Sequence, residues 1–201
     1  MTSHSSACIT IAGPRPLSGR HGFSMIEVLS VIVIMGLLAA AAIPQARLSS
    51  YQANSGAQVV SATFAYAQRQ AISRQADTRV AFDVGNRRMR IHEDRNNDNI
   101  IDAIERVTFT NLPEGVTFGR GTAPARAIGG AVVTFTRAQG ILPVLIFRRD
   151  GTASEDGGVY ISTTAGLSVD RTSDVRAVEI SRATGRATWF SYGTGAWKER
   201  Q

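Results

Sequence analysis

The sequence predicts an α+β fold in which a long N-terminal helix packs on an antiparallel β-sheet domain. Three observations predict it. Residues 23–44 carry no charge other than Glu27, and residues 60–71 carry an apolar stripe at helical spacing. From Thr78 onward the period falls to two, with turn residues between short segments. A chain of 201 residues, 43% hydrophobic and 19% charged, suits one core of moderate size with an appendage rather than a disordered tail. Its single cysteine, Cys8, excludes an intramolecular disulfide and every zinc site that needs two thiolates.

The apolar run comes first. As a helix, 22 residues cover roughly 33 Å, enough for a hydrocarbon core of about 30 Å. Residues 1–22 hold Arg15, Arg20 and His21 and no acid, which predicts a cytoplasmic N-terminus at an inner membrane. A secretory signal peptide shares this order of basic, apolar and small residues, but its core usually runs about 7 to 15 residues. Glu27 also argues against it, because a carboxylate in a span costs about 2.5 to 3.5 kcal/mol and is a functional candidate by default. Cleavage between Gly22 and Phe23 would supply its partner, since the new amine would sit one helical turn away or arrive from a neighbouring copy. The helix dipole favours a negative charge at that position.

The string Gly22-Phe23-Ser24-Met25-Ile26-Glu27-Val28-Leu29 resembles the processing site of type IV prepilins and pseudopilins. That resemblance implies cleavage after Gly22 by a prepilin peptidase and methylation of Phe23. It implies assembly with other major and minor pseudopilins or pilins, with Glu27 selecting register and Pro44 at a position where the family often kinks its helix. The implied organisation is a leader at 1–22, a transmembrane and assembly helix at 23–50, and a periplasmic pilin-like domain at 51–201. Such a subunit crosses the inner membrane once and is extracted into a periplasmic pseudopilus.

Beyond Pro44, Val60, Phe64, Ala67 and Ala71 recur at steps of four, three and four, while Gln68, Arg69, Arg74 and Gln75 fall outside the stripe. The spacing predicts a helix to about residue 75, bent at Pro44, with Phe64 in the core. Strands are predicted at 78–83 and 87–92, joined by a two-residue turn at Gly85-Asn86. Further strands are predicted at 106–110, 116–119, 132–136, 144–147, 159–163, 175–181 and 186–190. Gly193-Thr194-Gly195 lacks the third glycine of a dinucleotide loop and reads as a flexible turn. The order of long helix, hairpin, acidic loop, Phe147-Arg148-Arg149-Asp150-Gly151 turn and Ser181-Arg182-Ala183-Thr184-Gly185-Arg186 hairpin is similar to the H-type minor pseudopilins. These form the GspH/FimT family of type II secretion, and the resemblance implies a structural subunit in protein secretion.

Three chemistries remain to be weighed. Residues 94–105 have the spacing of a calcium loop: Asp94, Asn96, Asp98, Asp102 and Glu105 supply side-chain oxygens and Ile100 a carbonyl. A polar turn between strands has the same composition, and no helices flank this one, so calcium is the only cofactor the sequence suggests. Of the three histidines, His4 and His21 leave with the leader, as does Cys8. The mature chain then lacks a Cys-His pair and a two-histidine metal site, and no enzyme is expected. His92, beside Glu93, is expected at a strand end on the surface.

Nucleic acid is the third. The net charge of +6 falls to +4 once Arg15 and Arg20 are lost, and Lys198 is the only lysine among 22 basic residues. Arg182, Arg186 and Trp189 are the candidate nucleic-acid contacts. They belong to an alternative in which a FimT- or FimU-like minor pilin binds DNA at a pilus tip. The competing explanation is a scatter of arginine over solvated strand faces.

Overall fold

The computed structural model describes residues 24–200, and their side chains except those of 40–47. Gly22, Phe23 and the 1–22 leader therefore lie outside the described residues. Contacts divide the chain into two units, Met1–Ala41 and Ala42–Gln201, and each is described by itself. Helix α1 (Met25–Arg74) is assigned without interruption through Pro44, whose ring lies outside the described side chains. It ends at Gln75, which takes a left-handed φ of 54°, while the Ala76 amide donates back to the Ala71 carbonyl at 3.3 Å. This closure usually draws on glycine.

In the second unit α1 buries Ala53, Ala57, Val60, Phe64, Ala67 and Ala71 completely, at alternating steps of four and three. Among the described residues ten strands form two antiparallel sheets. The first has the order β3 (Val107–Asn111), β2 (Arg88–Asp94), β1 (Asp77–Asp83), β6 (Leu142–Phe147), β5 (Ala138–Gln139). The second runs β10 (Ala196–Arg200), β9 (Ala187–Gly193), β8 (Arg176–Ile180), β7 (Gly157–Thr163), β4 (Val116–Phe118). The α1 stripe shares one core with Val80, Phe82, Leu145 and Phe147 of the first sheet and Val159, Ile161 and Val178 of the second. Phe64 lies at its middle, with ring centroids 6.0 Å from Phe82 and 6.1 Å from Phe147. Aromatic pairs at such spacing add to area burial.

Every residue of β7 is buried. The segment 120–130 accounts for its other face: Tyr160 donates to the Gly129 carbonyl and accepts from the Arg126 amide, both at 2.8 Å. A Cβ at Gly158 would stand 2.3 Å from the Val178 carbonyl oxygen and 2.8 Å from Ile128, so only glycine allows this approach.

Differences from the expected elements have local causes. Segment 132–136 is not a strand; it meets β7 through one bridge, Val133 to Val159, and through Thr134, whose amide donates to the Gly158 carbonyl at 3.0 Å. The first hairpin turn spans four residues because Asp83 gathers Asn86 and Arg88, which places Arg87 at φ 51°. Residues 193–195 are no loose turn, since Thr194 and Gly195, at φ 50° and 79°, make a tight hairpin into β10.

Candidate functional site

Of the six proposed metal positions Asp94 ends β2 and the other five lie in the loop that follows. Their polar side chains bond to one another and to nearby donors, except that buried Asp94 Oδ1 has no hydrogen-bond partner among the described residues. Asp94, fully buried, is ion-paired with Arg79 and accepts from the Asn99 amide at 3.1 Å. The Asn96 amide donates to Asp98 at 2.9 Å and to Asp102 at 3.0 Å, filling the space between two carboxylates. Glu105 accepts from His92 at 2.6 Å and from the amides of Arg95 and Asp102 at 2.8 and 3.2 Å. Burial pushes the Glu105 carboxyl up, but these hydrogen bonds outweigh it and leave its pKa below the ordinary value. Among the described residues no group of three or more His, Cys, Asp or Glu is placed to hold a metal ion. Asn99 does take the left-handed turn expected of it, at φ 67°.

His92 corrects the surface expectation: it is fully buried. Arg90 donates to the Gln139 carbonyl oxygen at 3.0 Å, which orients that amide to donate to His92 Nδ1 at 3.0 Å. His92 Nε2 must then carry the proton that reaches Glu105. A relay of four side chains, Arg90 and His92 from β2, Gln139 from β5 and Glu105 from the acidic loop, thus locks the loop to the first sheet. Both ring nitrogens of His92 are thus hydrogen-bonded within the fold.

Alternation along β9 separates the candidate nucleic-acid contacts. Arg186 lines a cleft with Thr188 and Phe190, whereas Trp189 and Ser191 line a different one. Arg182 is exposed on the turn before β9. Trp197 is committed to packing: its indole donates to the Pro124 carbonyl at 3.2 Å and its ring lies 5.2 Å from Tyr192.

The N-terminal unit has the opposite character. The Ser24 side chain accepts from the Ile26 amide at 3.3 Å, and its carbonyl accepts from the Glu27 amide at 2.9 Å, so Ser24 caps α1. Glu27 stands in the first turn. Every residue from 24 to 39 is exposed, and Ile26, Ile32 and Leu38 keep 75%, 65% and 66% of their surface. A shallow hollow of about 300 Å³ lies between Glu27, Val28, Val31 and Ile32, apolar except for the carboxylate. Among the described residues no helix is long and apolar enough to cross a membrane. The apolar run itself continues into residues 40–44, beyond the described side chains.

Residues 17–43 match the family model of the prokaryotic N-terminal methylation motif. The match is confined to this N-terminal segment. That match spans Gly22, Phe23 and Glu27, the residues on which the resemblance was drawn. The comparison with curated proteins finds no match. Among solved structures, the chain is similar to the minor pseudopilin EpsH from the type 2 secretion system of Vibrio cholerae. The identity is 16% over 74% of this chain and 96% of that one, with a TM-score of 0.38. A likeness of that degree carries no role across.

The residues that organise the second unit include three whose part pattern reasoning passed over. Gln68, read only as lying off the apolar stripe, donates to the carbonyls of Gly151 at 2.7 Å and Thr184 at 2.8 Å. It thereby ties two turns to α1. Gly185 is at φ 62°, and a Cβ there would meet the Gly151 oxygen at 2.2 Å. Gln139 forms part of a two-residue strand too short for any periodicity to reveal.

Proposed function

We propose that this chain is a minor pseudopilin, a structural subunit that assembles through its N-terminal helix into the pseudopilus of a type II secretion system. The supporting observation is the surface of residues 24–39, apolar and wholly exposed around one carboxylate, inside a methylation motif. Apolar surface of this extent needs a cover, either lipid or the same helix of other subunits. In this reading a prepilin peptidase cleaves after Gly22 and methylates Phe23. Residues 23–50 anchor the chain in the inner membrane until extraction, with the remainder on the periplasmic side. Glu27 meets the Phe23 amine of a neighbour, an ion pair that exists only when the helices are in register, and Pro44 lies at the base of the assembly helix.

The test has two parts. Co-expression with a prepilin peptidase should give a mature chain beginning at methylated Phe23 by mass spectrometry, and Gly22→Val should block it. Glu27→Ala should be processed but fail to cross-link into secretion pseudopili. Normal incorporation of that variant, or an uncleaved wild-type chain, would defeat the proposal.

A further inference from the structure

Arg176, at the start of β8, is 4% exposed, yet no carboxylate lies within ion-pairing distance of it among the described residues. This sets it apart from Arg79, 7% exposed and paired with Asp94, and from Arg126, paired with Glu179. Buried charges are ordinarily paired, because desolvation is costly. Asp174, the acid that acts on it, is engaged by Ser49 at 3.1 Å, Thr163 at 2.8 Å and Arg171 at 3.8 Å. Burial lowers the Arg176 pKa to about 10, with Asp174 opposing the shift and Arg200 adding to it. The guanidinium is nevertheless rigidly held. Its Nε donates to Asn54 at 2.8 Å and its Nη1 to the carbonyls of Ser173 and Val175 at 2.7 and 2.9 Å. No hydrogen bond among the described residues uses Nη2.

The cleft that Arg176 lines, about 540 Å³, lies between the polar face of α1 and strands β9 and β10. Pairing of Lys198 with Ser191 and of Arg200 with Trp189 brings both cations to this side of the hairpin, while Glu199 faces the cleft on the other side. Three cations and no carboxylate therefore line one concave surface. Arg200 is itself positioned by a 3.0 Å bond to the Ser191 hydroxyl. Hydroxyl and amide groups complete the wall, and these can donate to an acceptor as readily as water does.

We propose that this cleft binds an oxyanion, a phosphate or carboxylate group, with Arg176 as its fixed buried donor and Lys198 and Arg200 closing over it. The preorganised guanidinium loses little freedom on binding, and an anion supplies the missing counter-charge. The cleft is lined by residues of the second unit alone, so the proposal neither needs nor tests the role proposed above.

Calorimetric titration of the full chain in detergent at low ionic strength, with inorganic phosphate in one arm and citrate in the other, tests it. Saturable binding of either probe is expected, and the arm that binds assigns the chemistry. Arg176→Gln removes the central donor but also the ties to Asn54 and two carbonyls, so the exposed pair Lys198→Gln with Arg200→Gln carries the test. That pair should weaken binding about tenfold or more, since bonds to charged groups are each worth a substantial factor. A control of equal charge change, Arg148→Gln with Arg149→Gln, should leave affinity within about twofold. No saturable binding in either arm overturns the proposal. So does a control that weakens binding as much as the cleft pair.

Discussion

The two described stretches of α1 belong to one helix and do opposite things. Between 24 and 39 every apolar side chain is exposed, whereas between 53 and 71 the stripe from Ala53 to Ala71 is completely buried. Composition and arrangement both separate them: the earlier stretch is dominated by Val, Ile, Leu and Met, whereas the later one mixes alanine with Asn, Gln, Ser and Arg. The later stretch confines its apolar groups to one face, in steps of three and four, and two sheets of the same chain cover that face. The earlier stretch is apolar all round, a pattern that one sheet cannot cover and that suits a multi-sided environment of lipid or other helices. One half therefore contributes to the stability of the chain, and the other is available to whatever the chain joins.

Substitutions can sharpen this contrast. The largest effect is expected from Phe64→Ala, which empties the middle of the core and should cost about 3 to 5 kcal/mol. Chemical denaturation of the full chain in detergent measures it, and an unchanged midpoint would mean that the core lies elsewhere. Gln68→Ala comes next, since it leaves the Gly151 and Thr184 carbonyls without their donor, at a cost of about 1 to 3 kcal/mol. The variant should also open the two turns to faster amide exchange.

A smaller effect follows from Glu105, whose pKa is depressed in the fold. A depressed carboxyl stabilises the fold above its unfolded pKa of about 4.3, and that contribution is lost as pH falls through the folded value. The wild-type Tm should therefore drop below about pH 4, and Glu105→Gln should flatten this dependence. Equal slopes for the two chains would detach the carboxyl from stability. The smallest effect is expected from Ile32→Ala, below about 0.5 kcal/mol on unfolding. A loss near that of Phe64→Ala would show that residues 24–39 are part of the folded core after all.

Much of the fold was legible because it rests on periodicity. The step of three and four located Phe64 and its neighbours, and period two located eight of the ten described strands to within a few residues. What escaped has a physical reason in each case. Strand β5 has two residues, too few for a period. Strand β10 lies at a sheet edge with Trp197 its only half-buried residue, so no alternation marks it. His92 looked like a surface residue because its neighbours are charged. Its burial depends on Gln139 and Glu105, distant partners that no local window contains.

The candidate sites divide in the same way. Glu27 could be read directly, since one carboxylate in an apolar run is anomalous wherever the chain folds, and the methylation motif is a fixed string. The cleft around Arg176 could not be read. Its three cations are 22 to 24 residues apart at most, but the anomaly is the lack of a carboxylate beside a buried guanidinium, and burial is not local information. By itself the sequence determined the class of fold and the motif of the N-terminal segment, because spacing and charge act through neighbours along the chain. Only the tertiary structure decided that there are two sheets, that the acidic loop is held by a buried histidine, and that one arginine lacks its counter-ion. Each of those facts depends on residues brought together across sequence distance.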